Sequence, residues 1–288
     1  MIPFFVFSQY FRIFACHLNC MNNPLPYSIN ANGELIELSE PLVMGILNVT
    51  PDSFYASSRK ENEEAIAERT TQIVQEGGSI IDIGAYSTRP GFTEVSEEEE
   101  MTRLRMALDI VRRVEPKAVL SVDTFRASVA ERVVGDYGVA IINDVSGGTD
   151  EQMFSTVARL GVAYVLTDTH DTLLSVPFAE ALTKLRELGQ KDIILDPGFG
   201  FGKTLDDNYR ILMQLEALRA LELPILVGVS RKSMVWRLLE TSPEHALNGT
   251  TVLHTLALER GANLLRVHDV AQATEVIKIM KKCSLLSV

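Results

Sequence analysis

Polar side chains follow short apolar runs along this chain, and they include acids, amides and bases that could bind one ligand together. They are Asn48, Asp82, Asp123, Asn143, Asp144, Asp168, Asp196, the segment SRKS at 230–233, Arg266 and His268. An acid after an apolar run can also simply begin a turn or cap the next helix. That explanation weakens because such residues recur at many places and carry both signs of charge. The pattern therefore predicts one polar binding site.

Two kinds of chemistry separate within these residues. Carboxylates, an amide and an ammonium suit a flat heterocycle with several N–H and C=O groups, and they occur at Asp123, Asn143, Asp196 and Lys232. An amide and cations suit a phosphate or pyrophosphate, with Mg²⁺ at the amide, and they occur at Asn48, Arg89, Arg266 and His268. The predicted ligand carries a ring at one end and phosphate at the other.

The elements that must position these residues are strands alternating with helices. Eight apolar runs begin at Leu42, Ser79, Ala118, Val139, Ala163, Asp192, Pro224 and Leu264, with amphipathic segments of helical spacing between them. This alternation predicts a parallel sheet with right-handed crossovers. Eight units of about 30 residues fit a closed (β/α)8 TIM barrel better than an open doubly wound sheet. In such α/β barrels the active site lies at the carboxyl ends of the strands.

Local signals mark the ends of several predicted helices. Gly77 and Gly78 are expected to stop the helix that follows the first strand. Ser96, which precedes a run of four acids, is expected to be an N-cap, because acids in a first turn favour the helix dipole. Asp123 or Thr124 could cap the helix after the third strand. The acidic run therefore needs no functional explanation.

Length and composition indicate one large domain. The chain has 288 residues, of which 46% are hydrophobic, and no linker or low-complexity tract divides it. We expect the barrel to span residues 42–288 and residues 1–41 to form an amino-terminal extension and lead-in segment. The first 20 residues are apolar and aromatic, but Ser8, Gln9 and Arg12 interrupt them, so they fall short of a membrane-spanning helix. They are compatible with a weak signal segment, but an extension or an upstream start ahead of Met21 is the preferred interpretation.

The net charge indicates which partners are excluded, and the cysteines indicate the cellular compartment. A net charge of −11 argues against nucleic acid or an anionic membrane as a partner, since both need clustered Lys and Arg. Cys16, Cys20 and Cys283 form an odd set without metal-binding spacing, which predicts a reduced, cytoplasmic protein.

A homodimer through outer helices is compatible with the sequence. The apolar stretch at 252–258 could serve it, but packing on its own barrel explains that stretch more simply.

Seven motifs in order carry a resemblance to a known family. They are MGILNVTPDSF at 44–54, DIGAYSTRPG at 82–91, SVDTFR at 121–126, IINDVSGG at 141–148, DPGFGFGK at 196–203, GVSRKS at 228–233 and RVHDV at 266–270. Together they resemble the dihydropteroate synthases, a family of pterin-binding TIM-barrel enzymes and the target of sulfonamides. Seven motifs in the right order are far more specific than any single glycine-rich loop.

The resemblance implies a transferase of folate biosynthesis. It would condense 6-hydroxymethyl-7,8-dihydropterin pyrophosphate with 4-aminobenzoate, giving 7,8-dihydropteroate and pyrophosphate. Carried over by motif, the pterin would be held by Asp123, Asn143, Asp196 and Lys232, and the pyrophosphate by Asn48, Arg89, Arg266 and His268, with Mg²⁺ near Asn48. Thr88, Pro90, Phe201, Lys232 and Ser233 would border the aminobenzoate. Asp196, Arg89 and Lys232 would carry the catalysis.

The chain departs from the family pattern in three loops. Ala85 and Tyr86 stand where the family commonly has Gly-Glu, and YASS at 55–58 stands where it has SDGG. The fifth strand ends LTDTHDTLL at 166–174 where the family has a Met-His-Met run and a Gly-Thr-Pro turn. The resemblance assigns no role to His170 or Asp171 there, and we expect His170 to be a solvated loop residue.

Two other functions share part of this pattern. A pterin-binding methyltransferase of the same fold, which handles methyltetrahydrofolate, would need the pterin carboxylates but not the cations that suit pyrophosphate. A non-catalytic paralogue that binds pterin would be favoured only by the altered fifth loop. The motifs STRPG, SRKS and RVH together favour the synthase.

Overall fold

Ten strands occur in the residues described by the structure, a computed structural model that covers 27–31, 33–50, 59–86 and 95–285. Two form an antiparallel hairpin, β1 (Ser28–Ala31) and β2 (Glu34–Glu37). The others are β3 (Leu42–Asn48), β4 (Ile80–Gly84), β5 (Val119–Asp123), β6 (Ile141–Asp144), β7 (Ala163–Thr167), β8 (Ile193–Asp196), β9 (Leu226–Val227) and β10 (Leu264–Val267). These eight coincide with the eight predicted runs.

The eight strands form a nearly closed parallel barrel. Each strand from β3 to β8 pairs with the next, and β10 pairs with both β3 and β9. A bridge between Leu195 and Ile225 brings β8 beside β9 and closes the ring. The predicted TIM barrel is therefore confirmed, and the carboxyl ends of all eight strands lie at one face.

Nine α-helices surround the barrel in the described ranges. They are α1 (Arg59–Gln75), α2 (Glu97–Val114), α3 (Ala127–Tyr137), α4 (Met153–Leu160), α5 (Val176–Glu187), α6 (Leu205–Gln214), α7 (Ser233–Leu238), α8 (Leu247–Glu259) and α9 (Val270–Ser284). Short 3₁₀ segments at Leu215–Leu221 and Pro243–His245 complete the connections. In α8, Leu253 and Ala257 are buried in the core between helices and barrel, whereas Val252 is exposed. Most of the apolar stretch at 252–258 thus packs on its own barrel.

Strand residues alternate between two hydrophobic layers, because successive side chains of a strand point to opposite faces. In β7, Tyr164 and Leu166 join the outer layer between sheet and helices, while Ala163 and Val165 join the inner layer. Met44, Ile80, Ile141, Ile194, Leu226 and Leu264 complete the strand part of the inner layer. This alternation determines which residues at the ends of the strands face the barrel axis.

The hairpin was not expected from the sequence. Ile29, Ala31 and Leu38 are buried in the same cluster as the inner-layer residues of the barrel strands, so the hairpin covers the amino-terminal end of the barrel. It falls within the predicted extension of residues 1–41, of which residues 1–26 lie outside the described part of the chain. The domain boundary at residue 42 stays a prediction.

Two of the expected helix ends are confirmed and one is wrong. The Ser96 hydroxyl accepts from Glu99 N at the start of α2, and Gly77 adopts a positive φ of 93° after α1. Neither Asp123 nor Thr124 caps α3, whose N-cap is Arg126. The Asp150 carboxylate accepts from Ala127 N at 2.8 Å instead, so a residue from the next loop satisfies the first turn.

Within the described residues, every helix is too short or too polar to cross a membrane.

Candidate active site

The inner faces of the strand ends form a ring of polar groups at one mouth of the barrel. By the alternation of the strands, the last inward residues are Asn48, Gly84, Asp123, Asn143, Thr167, Asp196 and Arg266. Asp144 has the opposite orientation, and its carboxylate accepts from the buried Tyr164 hydroxyl at 2.8 Å. The structure therefore brings together most of the sequence-predicted residues and removes Asp144 from the set.

Asp82 is the centre of the hydrogen-bond network beneath this ring. Its fully buried carboxylate accepts from the Ser121 hydroxyl at 2.6 Å, from Asn143 Nδ2 at 3.1 Å and from Arg266 Nε at 2.6 Å. Three strands are tied to β4 in this way. Buried carboxylates are costly unless they are paired and hydrogen-bonded, and this one is both. Asp82 therefore orients Asn143 and Arg266 for whatever binds above them.

Arg266 lies between two carboxylates. Besides its bond to Asp82, its Nη2 donates to Asp123 Oδ2 at 2.9 Å. Burial raises the pKa of Asp123 to about 7, although Arg266 opposes the shift. Burial alone would lower the pKa of Arg266, but the charges of Asp82 and Asp123 outweigh it and raise that pKa. The arginine thus remains charged, and burial makes the Asp123 carboxyl harder to ionise than an exposed aspartate.

Asp196 and Lys232 form a second opposite-charge region. Asp196 Oδ1 accepts from Gly198 N at 2.8 Å, and burial raises the pKa of its carboxyl against the opposing charge of Lys232. Lys232 Nζ donates to Phe199 O at 2.5 Å and lies 4.8 Å from the centre of the Phe201 ring. Burial lowers the pKa of Lys232 to about 8, so its ammonium form still predominates at pH 7.

The loop after β8 separates its two phenylalanines. Phe199 is fully buried in the core between barrel and helices, whereas the Phe201 ring is partly exposed beneath Lys232. Gly198 has a φ of 67°, and a Cβ on it would lie 2.1 Å from Asp168 O. Only glycine fits that position, since the backbone of the β7 loop passes too closely for any side chain.

Asn48 and His268 lie at the ends of neighbouring strands β3 and β10. His268 N and Nδ1 contact the Ser230 hydroxyl at 3.1 and 3.2 Å. Burial, helped by the charge of Arg266, lowers the pKa of His268 to about 4, so the ring is neutral at pH 7. In its neutral form His268 can offer an anion a hydrogen bond from its ring N–H.

Two side-chain oxygens beside Gly84 are of the kind that magnesium binds. A Cβ on Gly84 would meet Asn48 Oδ1 at 3.4 Å and Asp123 Oδ2 at 3.9 Å, so two oxygen donors border the space that this glycine leaves. In the described part of the chain, no three His, Cys, Asp or Glu side chains could hold a metal by themselves. Mg²⁺ commonly keeps waters and takes one or two protein oxygens besides substrate phosphates.

Comparison with known proteins decides which family has this site. A family model described as pterin binding enzyme matches residues 44–268. The chain belongs to this pterin-binding family. The dihydropteroate synthase of Bacillus subtilis is 38% identical over 250 residues, which cover 83% of this chain and 87% of the relative. That of Escherichia coli K12 is 35% identical over 269 residues, with 87% and 94% covered. Within the pterin-binding enzymes, the chain is a member of the dihydropteroate synthases.

Solved structures of pterin-binding enzymes share the fold. Yersinia pestis dihydropteroate synthase in a sulfonamide drug complex has a TM-score of 0.80 and 33% identity to this chain. The match covers 90% of this chain and 100% of the Yersinia pestis chain. Xanthomonas albilineans dihydropteroate synthase with 4-aminobenzoic acid has a TM-score of 0.80 and 34% identity, covering 90% and 98%. The resemblance noted from the seven motifs is thus confirmed over most of the chain.

The β7 loop, where the sequence departs from other dihydropteroate synthases, has its own hydrogen-bond network. Asp168 Oδ1 accepts from the Ser175 hydroxyl at 2.8 Å and lies 3.1 Å from His170 Nδ1. His170 was expected to be a solvated loop residue, and its side chain is 46% exposed, although its Nδ1 also lies 3.2 Å from the Ser175 hydroxyl. Lys203 Nζ donates to Asp168 O at 2.7 Å and joins this loop to the one after β8.

Thr88, Arg89 and Pro90, which the sequence placed in the site, lie in the segment 87–94 outside the described residues. The segments on either side of it are anchored by Arg126. Its guanidinium lies 5.4 Å from the centre of the Tyr86 ring, and its Nη2 donates to Val95 O at 2.7 Å. Tyr86, which stands where the family commonly has Glu, therefore contacts a cation through its ring.

Two site residues received no role from the sequence. In the sequence, Asp82 is only a polar residue near a strand end, and Thr167 is only one residue of the altered segment at 166–174. The signal for Asp82 was an acid between two isoleucines inside a strand, which is too costly to bury without a partner. Thr167 gave no such signal, because threonine is common in strands for packing reasons alone.

Proposed function

We propose that this chain condenses 6-hydroxymethyl-7,8-dihydropterin pyrophosphate with 4-aminobenzoate to give 7,8-dihydropteroate and pyrophosphate. The observation that carries the proposal is the inward ring of Asp123, Asn143 and Asp196 with Lys232 and Arg266 at one barrel mouth. Its relatives named dihydropteroate synthase support the same reaction. A ring with alternating N–H and C=O groups matches these donors and acceptors.

The pterin would lie against the deepest polar groups. Asn143 Nδ2 is committed to Asp82, which leaves its buried Oδ1 without a partner in the described residues. An unpartnered buried acceptor is costly, and a ring N–H would satisfy it. Asp123 and Asp196 would accept further ring N–H groups, and the Lys232 ammonium would donate to a ring carbonyl or nitrogen. Asp196, Lys232 and Arg89 would be the catalytic residues.

The two remaining groups would lie nearer the mouth. Pyrophosphate would contact Asn48, Arg89, Arg266 and His268, with Mg²⁺ held at Asn48. The aminobenzoate would lie between Thr88, Pro90, Phe201, Lys232 and Ser233. Phe201 and Lys232 support this assignment by their contact, since a ring beneath an ammonium suits an aromatic carboxylate.

The chemistry requires charge stabilisation more than base catalysis. Loss of pyrophosphate from the methylene group leaves positive charge delocalised into the pterin ring, while the arylamine is already a nucleophile. The carboxylate of Asp196 would offset that positive charge, and the cations at the mouth would bind the leaving group. Bound Mg²⁺ would supply further neutralisation of the pyrophosphate charge.

Pyrophosphate release provides the direct test. Purified protein with the pterin pyrophosphate, 4-aminobenzoate and Mg²⁺ should release pyrophosphate and form dihydropteroate in equal amounts. Asp196→Asn should keep the fold but lower kcat/KM at least about tenfold, because an amide cannot offset positive charge on the ring. Asp192→Asn, at the amino-terminal approach to the same strand, is the matched control and should turn over normally.

The rival functions give different results in the same assay. A methyltransferase would demethylate methyltetrahydrofolate and release no pyrophosphate. A non-catalytic paralogue would bind the pterin without turnover. Equal activity of Asp196→Asn and the parent would remove Asp196 from the mechanism while leaving the reaction itself established.

The setting of the enzyme is part of the same proposal. A cytoplasmic location is supported by the cysteine usage and the acidic net charge. A homodimer is supported by apolar side chains on outer helices, since Val252 on α8 and Ile279 on α9 are 52% and 64% exposed. Sedimentation of the purified protein would measure the oligomeric state.

A further inference from the structure

Thr167 is the last residue of β7, and it faces the mouth of the barrel. Ala163 and Val165 of the same strand belong to the inner hydrophobic layer, and residues two apart on a strand share a face. Thr167 therefore stands in the polar ring above Val165. Its register partner on the next strand is Asp196. Neighbouring strands lie about 4.8 Å apart, so the hydroxyl group is one strand away from the carboxylate.

The hydroxyl of Thr167 has no hydrogen-bond partner among the described residues. The side chain is 2% exposed, and its Oγ1 is buried without a donor or acceptor in reach. The methyl Cγ2 lies 3.1 Å from the position a Cβ on Gly198 would take, so the methyl group is directed towards that loop and the hydroxyl is not. A buried hydroxyl without a hydrogen-bond partner lowers the stability of the folded protein, so such a group is expected to have a partner in the functional state.

A second unpartnered oxygen lies on the adjacent strand. Asn143 Oδ1 on β6 is buried and lacks a partner in the described part of the chain. Asn143 pairs with Val165, so it stands one inward step below Thr167. With the Asp196 carboxylate on the other side, three oxygens that can accept hydrogen bonds lie around one corner of the site. Such a corner suits a ligand edge rich in N–H groups.

We propose that Thr167 binds the substrate, with its hydroxyl accepting a hydrogen bond from the exocyclic amino group of the pterin. The proposal rests on the proposed function and adds a specificity-determining residue to it. The amino group and the neighbouring ring N–H form the N–H-rich edge of a pterin, and this is the edge that the three oxygens match.

Two substitutions separate binding from folding. Thr167→Val keeps the shape and removes the hydroxyl, whereas Thr167→Ser keeps the hydroxyl and removes the methyl group. Calorimetry would measure the affinity of each variant for 6-hydroxymethylpterin and for an analogue without the 2-amino group. We expect Thr167→Val to bind the pterin about five- to tenfold more weakly than the parent, and Thr167→Ser to bind within about threefold of it. The deaminated analogue should bind Thr167→Val and the parent equally.

The melting temperature of the ligand-free protein distinguishes a binding role of the Thr167 hydroxyl from a structural one. Because Thr167→Val replaces an unpartnered hydroxyl by a methyl group, the free variant should melt at the same or a higher temperature. A lower melting temperature would mean that the hydroxyl has a structural partner and would overturn the proposal. Equal losses for both ligands, or no loss at all, would also overturn it. Failure of the parent to bind the pterin would instead contradict the proposed function.

Discussion

Arg266 links the two ends of the proposed ligand. Its position in the sequence suggested a group for the pyrophosphate alone, yet its Nε and Nη2 bond the carboxylates of Asp82 and Asp123 on the pterin side. The Arg266 side chain is 17% exposed, so it is not completely buried at the mouth of the barrel. A charge in this position neutralises two acids, of which Asp82 is fully buried, and it also attracts an anion.

Arg266→Ala should therefore weaken more than pyrophosphate binding. Removing one partner of a buried ion pair leaves uncompensated charge and costs about 3–5 kcal/mol. We expect a lower free energy of unfolding in urea and weaker binding of both 6-hydroxymethylpterin and its pyrophosphate by calorimetry. Arg266→Lys, which keeps the charge without the two-pronged geometry, should recover part of both. Loss confined to the pyrophosphate, with unchanged stability, would restrict Arg266 to the leaving group.

Single residues also show where sequence reasoning ends. Asp123, Asn143, Asp196 and Lys232 could be found because polar residues at several strand ends of a barrel must share one face. The neutral state of His268 could not be found, because it depends on burial and on the nearby charge of Arg266. Ionisation and hydrogen-bond partners are properties of the folded site, and residue type alone does not determine them.

At the level of elements, the strands were easier to predict than their caps. Each barrel strand is a short apolar run bounded by polar or turn residues, so all eight could be located. The predicted N-cap of α3 was wrong because the backbone N–H of Ala127 in its first turn donates to Asp150, which lies beyond the next strand. The hairpin β1–β2 was missed because its strands have four residues each and only a few apolar positions. Contacts between elements decided both cases.

The turn after β8 offers a test of how closely two elements approach. Gly198 and Gly161 both have a φ of 67°, but a Cβ on Gly198 would lie 2.1 Å from Asp168 O, whereas one on Gly161 would meet nothing within 4 Å. Gly161→Ala should cost only the backbone strain, about 1–2 kcal/mol. Gly198→Ala should lower the free energy of unfolding by clearly more than this. It should also lower turnover, because the loop after β8 would have to move away from the loop after β7. Similar unfolding free energies for both variants in urea would show that the β7 loop yields without cost.

At the level of the whole molecule, the barrel separates stability from chemistry. The polar site occupies the carboxyl ends of the strands, and the hairpin β1–β2 covers the opposite end with an apolar face. Ile29 and Leu38 of the hairpin region pack against the inner hydrophobic layer. The ionisable groups of the site lie on the other side of that layer, at the carboxyl ends of the strands. A change in the hairpin should therefore alter the free energy of unfolding without altering the site.

Leu38→Ala tests this separation against a control in the same hairpin region. Leu38 is fully buried, whereas Leu35 is 71% exposed. Truncating a buried leucine leaves a cavity and costs about 2–5 kcal/mol, so Leu38→Ala should unfold at a lower urea concentration while Leu35→Ala unfolds like the parent. Both variants should keep the parent's kcat/KM at temperatures where they remain folded. A fall in kcat/KM for folded Leu38→Ala would mean that the hairpin holds the strand ends in register across the whole depth of the barrel, because the site would then respond to packing at the opposite end.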